Sequence, residues 1–117
     1  MKVLIVDDSA IMRKVITKAL GELPSAIVEA EDGLQATSKS QSETFDVILM
    51  DWNMPNKSGI EALTEIRSRG DTTPVIMVTT ESEKERVLEA IKSGASDYII
   101  KPFKPEDIHQ KIQRFKK

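Results

Sequence analysis

The 117-residue chain has room for one domain and one core, and its balance of 39% hydrophobic and 31% charged residues excludes collagen-like, low-complexity and disordered classes. It has no cysteine, and at this length folding buries roughly two-thirds of the unfolded surface, so a disulfide framework is neither available nor needed. Lys+Arg 17 against Asp+Glu 19 gives a net charge of -2, without the basic excess of a protein that binds the phosphate backbone, so no direct nucleic-acid contact is expected.

The opening MKVLIVDDS carries one positive residue and four apolar residues before two aspartates. That is too short for a signal peptide or a spanning helix, and a cytoplasmic protein with no membrane association is expected. Residues 3–6 form the first of five continuous apolar runs. Ile11, Met12, Val15, Ile16, Ala19 and Leu20 then recur at helical spacing as far as Gly21, a good C-cap residue. The second run is 26–28. The stretch 33–43 is rich in Ser, Thr and Gln, and a helix is inferred there because a parallel crossover needs one. After the third run, 47–50, Ile60, Leu63 and Ile66 form a stripe that stops at Gly70, with Ser58 and Glu61 spaced as a capping box. After the fourth, 75–78, Thr80 and Glu83 have the same box spacing ahead of Val87, Leu88 and Ile91, which stop at Gly94. The fifth run, 98–100, precedes Pro105 at a first helical position and an apolar face of Ile108, Ile112 and Phe115. His109, the one histidine, is expected to face solvent without a role, and the closing IQRFKK reads as a solvated helix end.

Continuous, mostly β-branched runs of this length are strands buried on both faces, which is the pattern of a parallel sheet covered by helices. The runs start 23, 21, 28 and 23 residues apart, room each time for one crossover helix. The expected fold is α/β: a (βα)5 doubly wound parallel sheet in the flavodoxin-like order 2-1-3-4-5, a three-layer sandwich formed by residues 1–117 as one domain. In such a sheet, function gathers at the carboxyl ends of the strands. There the sequence places Asp7 and Asp8 after strand 1, Asp51 after strand 3, Thr79 after strand 4 and Lys101 after strand 5.

In that order strand 3 is central, its neighbours lie ~4.8 Å away and strand 5 lies ~10 Å off, so Asp51 is the hub and the long Lys101 suits the longer gap. Three carboxylates about 5 Å apart repel by ~3 kcal/mol per pair at an effective dielectric of 20 and call for a cation. All-oxygen ligands favour Mg²⁺ over zinc. A carboxylate beside Mg²⁺, with a lysine and a hydroxyl for the phosphoryl oxygens, is arranged for transfer of a phosphoryl group to Asp51 as nucleophile.

These residues resemble a family. VDDS at 6–9, DWNMPNKSG at 51–59, VTTE at 78–81 and YIIKPF at 98–103 are similar to the receiver domains of bacterial two-component response regulators, over essentially the whole chain, and the Asp51–Trp52 segment resembles the single-domain chemotaxis type. The resemblance implies that Asp8, Asp51 and the main-chain carbonyl of Asn53 bind Mg²⁺, with Asp7 acting through water. It implies that Asp51 accepts the phosphoryl group from a sensor histidine kinase, that Lys101 pairs with the phosphoryl oxygens, and that Pro102 follows through a cis peptide. Thr79 and Tyr98 would be the switch residues, and Asn53 and Glu81 would tune dephosphorylation. The chain would act on itself alone, as a monomer, and the face of helix 4, strand 5 and helix 5 would bind a downstream protein, with the flagellar motor switch as the chemotaxis-type candidate. Lys57, where the family usually has an apolar residue, and Thr80, where a small one is common, depart from the pattern.

Other readings compete with this one. Asp7 and Asp8 are also a charge pair suited to a helix N-terminus, Thr80 suits a cap, Lys101 has a surface alternative, and Tyr98 suits a half-buried strand position. A haloacid-dehalogenase-like phosphatase shares the strand-end aspartate, Mg²⁺, threonine and lysine, yet it wants a second aspartate where Asn53 stands. A receiver cut from a larger transcriptional regulator, a phosphorelay intermediate and a phosphorylation-independent interaction module are the remaining alternatives. Flavin binding is disfavoured because Ser9 and Ala10 open the first helix without a glycine-rich phosphate loop.

Overall fold

Each apolar run becomes a strand and each interval a helix in the computed structural model, which describes residues 1–115. In chain order the elements are β1 (Lys2–Val6), α1 (Ala10–Leu20), β2 (Ala26–Ala30), α2 (Gly33–Ser42), β3 (Val47–Met50), α3 (Gly59–Ser68), β4 (Val75–Thr79), α4 (Lys84–Lys92), β5 (Asp97–Ile100) and α5 (Pro105–Gln113). All strand pairs are parallel, in the order β2-β1-β3-β4-β5. This is the expected flavodoxin-like architecture.

The central strands are buried along their whole length because both faces are covered. Leu4, Val6, Ile48 and Met50 face one layer, where they meet Ala36 of α2, Leu63 and Ile66 of α3, and Ala90 of α4. Val3, Ile5, Val47 and Leu49 face the other, against Ile16 and Leu20 of α1 and Ile108 and Ile112 of α5. The period-2 alternation of strand side chains therefore assigns the helices to the two layers.

Local chemistry fixes the helix ends. Ser58 and Glu61 form the expected capping box, and Gly21 takes φ +59 at the end of α1. The polar α2 has its own start signal: Asp32 Oδ1 accepts the Gln35 N–H at 2.8 Å.

In three places the structure departs from the sequence reading. The Thr80–Glu83 box does not form. Helix α4 starts at Lys84 after Glu83, with no side-chain cap; β4 continues through Thr79, and Glu81 bonds instead to Thr79 and Tyr98. The apolar stripes of α1 and α4 are wider than the faces they bury: Ile11 is 77% exposed, Val15, Leu88 and Ile91 are also exposed, and α4 buries only Ala90. His109 is half-buried on α5, where with Ala19 and Pro105 it lines a shallow groove.

Burial separates two apolar residues that the sequence treats alike. Leu63→Ala, at a fully buried position, is expected to cost about 3 kcal/mol, and Ile11→Ala less than about 0.5 kcal/mol, by urea unfolding. Comparable losses would contradict this assignment of the faces.

Candidate functional site

The strand register brings the polar strand-end residues together. Val6 pairs with Met50, so Asp7 and Asp51 leave the sheet side by side, and β4 runs on to Thr79, which pairs with Ile100 just before Lys101. Main-chain bonds extend the ladder past the strand ends: the Asp7 N–H donates to Ala30, that of Asp51 to Val6 and that of Lys101 to Thr79, at 3.1, 2.9 and 2.9 Å. The site therefore stands on the rigid edge of the sheet. Behind Asp51 the chain turns back so closely that a Cβ on Gly59 would lie 1.9 Å from the Asp51 carbonyl oxygen, which only glycine allows.

Asp7, Asp8 and Asp51 each bring a carboxylate oxygen to a common point, all within 4.8 Å of one another. Asp7 and Asp51 are buried and Asp8 is exposed. Lys101 reaches over β4 and β3: its Nζ donates to Asp7 Oδ2 at 2.7 Å and lies 3.6 Å from Asp51 Oδ2. The sequence reading aimed Lys101 at Asp51, whereas its nearer partner is Asp7. The Arg13 guanidinium holds the Asp7 carbonyl at 2.6 Å but is paired with Glu29 at 2.8 Å, so it brings no spare charge to the carboxylates. Three carboxylates against one ammonium leave two negative charges on an all-oxygen donor set, which fits a hard divalent cation such as Mg²⁺.

Burial pushes the Asp51 carboxyl above its ordinary range. The Lys101 charge opposes this, Asp7 adds to it, and the Trp52 N–H, donating to Oδ1 at 2.8 Å, opposes it again. Thr79 is fully buried and its Oγ1 accepts the Glu81 N–H at 3.3 Å. Glu81 is held twice more: its carbonyl accepts the Tyr98 hydroxyl, and its Oε1 accepts the Asn53 amide at 2.8 Å. Tyr98 is half-buried, and burial first, then the Glu81 charge, raises its phenol to about 12.

Comparison with known proteins adds the lineage. Residues 3–113 match the response regulator receiver domain family. The chain belongs to that family. It is 39% identical over 117 residues to the chemotaxis protein CheY homolog of Campylobacter jejuni, spanning 97% of this chain and 90% of that protein. Chemotaxis protein CheY4 of Vibrio cholerae superposes with a TM-score of 0.88 at 37% identity, over 97% of each chain. The receiver domain of the Francisella response regulator 1452 does so with 0.90 at 31% identity, over 97% of this chain and 94% of that one.

Membership of the receiver family supports phosphorylation-dependent signalling, with a histidine kinase as phosphodonor and a downstream target, and separates the chain from the phosphatases. Receiver domains typically bind Mg²⁺ at an acidic pocket, and here Asp7, Asp8 and Asp51 form one. Among the described residues no helix is long and apolar enough to cross a membrane.

Asp7, Asp8, Asp51, Asn53, Thr79, Glu81 and Lys101 lie at the carboxyl edge of the sheet or in the loops above it, whereas Tyr98 sits within β5, opposite Met77, and reaches the site through Glu81; the Lys101–Pro102 peptide is cis. Lys57 keeps its loop packed by laying its stem over Gly33 and pairing its amine with Glu65 at 2.6 Å. The sequence reading missed Arg86, whose guanidinium lies 5.4 Å from the centre of the Trp52 ring, and no spacing signal points to that contact. It also missed the Asp32–Asn56 hydrogen bond at 2.7 Å, although the D-x-x-Q cap at Asp32 was there to be read.

A carboxyl raised in the folded state favours folding only below the ordinary carboxylate pKa, and that contribution is lost as pH rises through the raised value. At neutral pH without Mg²⁺ the ionised Asp51 is therefore a net cost. Asp51→Asn is expected to raise the thermal midpoint at pH 7 in EDTA by about 4 °C, corresponding to ~1 kcal/mol, and the gain should shrink on acidification. An unchanged or lower midpoint would contradict the crowding of charge at this site.

Proposed function

We propose that residues 1–117 form the receiver of a two-component system in which Asp51 accepts a phosphoryl group from the phosphohistidine of a sensor kinase. The observation that carries this reading is the grouping of Asp51 with Asp7, Asp8 and Lys101 at one edge of the sheet, with Lys101 Nζ 3.6 Å from Asp51 Oδ2. Asp8, Asp51 and the Asn53 carbonyl would hold Mg²⁺, with Asp7 acting through water. Bound there, the ion would neutralise the carboxylates and the charge of the incoming phosphoryl oxygens.

In the transfer an Asp51 carboxylate oxygen forms the O–P bond as the N–P bond to the donor imidazole breaks, and the leaving imidazole takes up a proton. Lys101 would then hold phosphoryl oxygens and the Thr79 hydroxyl another. Moving Thr79 disturbs the Glu81 N–H that it accepts, and Glu81 in turn accepts the Tyr98 hydroxyl. A chain of contacts thus runs from the acceptor to Tyr98 on β5, beside α4 and α5, where a downstream protein would dock. Only one new charged group biases the two states. Asn53 and Glu81, joined over the pocket, would tune the return hydrolysis.

The 39% identity to the CheY homolog supports the chemotaxis type; on that reading the flagellar motor switch would be the target and a cytoplasmic monomer the working form. A second reading, a receiver within a larger regulator, is favoured by the 37% identity to the response regulator domain of Thermotoga maritima CheB, at a TM-score of 0.84 over 98% of this chain.

Incubation with acetyl phosphate and Mg²⁺ tests the chemistry by intact mass. One phosphoryl group is expected on the wild type, and none on Asp51→Asn or in EDTA. Lys101→Ala is expected to take up the group yet lose the change in hydrogen exchange across α4, β5 and α5. Phosphorylation of Asp51→Asn would refute the acceptor, and a normal exchange response in Lys101→Ala would refute the switch role of the lysine.

A further inference from the structure

The β3–α3 loop is fastened to the start of α2 by contacts that lie outside the acid pocket. Asp32, 8% exposed, uses both carboxylate oxygens: Oδ1 caps α2 through the Gln35 N–H at 2.8 Å, and Oδ2 accepts the Asn56 amide at 2.7 Å. One residue further along each segment, the Gly33 N–H donates to the Lys57 carbonyl at 3.0 Å. The fit is close enough that a Cβ on Gly33 would lie 2.4 Å from that carbonyl oxygen. Asn56 holds φ +69, a left-handed conformation that asparagine tolerates better than most residues, and its side chain is spent on Asp32.

We propose that Asp32 and Asn56 are positioning residues for the metal site, forming a clasp that fixes the β3–α3 loop and with it the main-chain carbonyl of Asn53. The inference rests on the reading of Asp8, Asp51 and Asn53 as ligands. A main-chain ligand on a loop is only as well placed as the loop. Asp51 is anchored by the sheet edge, but Asn53 lies beyond it, on the segment that returns to α3 through the Gly59 N–H bond to the Trp52 carbonyl at 2.8 Å. The clasp supplies the restraint on the remaining side of that loop. Outer partners that orient a ligand govern metal affinity without touching the ion.

The test measures metal binding directly on the whole chain, with Mn²⁺ as probe, its free concentration read by electron paramagnetic resonance, and Mg²⁺ as competitor. Asn56→Gly removes the amide while giving the backbone the residue that most readily adopts φ +69, so the thermal midpoint in EDTA is expected to stay within a few degrees of the wild type. Its dissociation constants for Mn²⁺ and Mg²⁺ are expected to rise roughly tenfold, and saturating Mg²⁺ to restore the rate of phosphoryl uptake. Gly33→Ala, which acts on the loop from the α2 side, is expected to weaken binding in the same direction. Wild-type affinity in Asn56→Gly would overturn the clasp, and so would affinity lost only in step with the midpoint. If the wild type itself binds neither ion, the ligand reading fails and the clasp with it. A wild type that binds while Asn56→Gly matches it leaves the ligand reading standing and removes the clasp alone.

Discussion

Three carboxylates held within 4.8 Å of one another, two of them buried, are the constraint around which this molecule is arranged. Like charges at such spacing repel by several kcal/mol in a protein environment, and burial adds a desolvation cost for each ionised group. The chain carries this cost because its sheet leaves no alternative. Val6 and Met50 are paired neighbours, so the aspartates that follow them emerge together. Relief comes from one lysine reaching from the edge strand to Asp7, and the remaining two negative charges are matched to a divalent ion. The fold thus stores an electrostatic imbalance at one edge of its sheet, which a bound divalent cation would relieve.

The rest of the structure contributes stiffness or mobility around that edge. The two core layers make the strand ends rigid, and the ladder of main-chain bonds continues past them to Asp7, Asp51 and Lys101. Beyond the β3–α3 loop the segment that follows β4 is held more lightly. Helix α4 buries only Ala90, starts without a side-chain cap and leaves Leu88 and Ile91 exposed. A segment with few buried apolar contacts opens at low free energy, which suits the rearrangement proposed for it. Glu81 joins it to the pocket through Thr79 and Asn53 and to β5 through Tyr98.

The parts of this arrangement that the sequence makes legible are those governed by period and register. Continuous apolar runs specify buried parallel strands, their spacing specifies one helix per crossover, and strand ends in that order bring Asp7, Asp51, Thr79 and Lys101 together. Side-chain reach and partner choice are less legible. Lys101 spans to Asp7 rather than stopping at Asp51, because Asp7 offers the closer free carboxylate oxygen while its other oxygen takes the Ser9 N–H at 2.9 Å. Local signals also lose to other bonds: Thr80 and Glu83 have the spacing of a cap, yet Glu81 between them is committed to Thr79 and Tyr98. The stripes on α1 and α4 overstate burial, since periodicity reports which residues share a face and is silent on whether a neighbour covers it. The Asp32–Asn56 and Arg86–Trp52 contacts join residues 24 and 34 positions apart, and only the folded chain brings them together.

The central claim is that Asp51 is a phosphoryl acceptor served by a metal, and Trp52, the one tryptophan and the next residue in the chain, is placed to report it. Its fluorescence, followed while Mg²⁺ and then beryllium fluoride are added, is the most direct measurement, with Asp51→Asn as control. Two successive changes are expected in the wild type, the second absent from the mutant. A beryllium fluoride response that survives in Asp51→Asn, or a wild type unmoved by either addition, would contradict it.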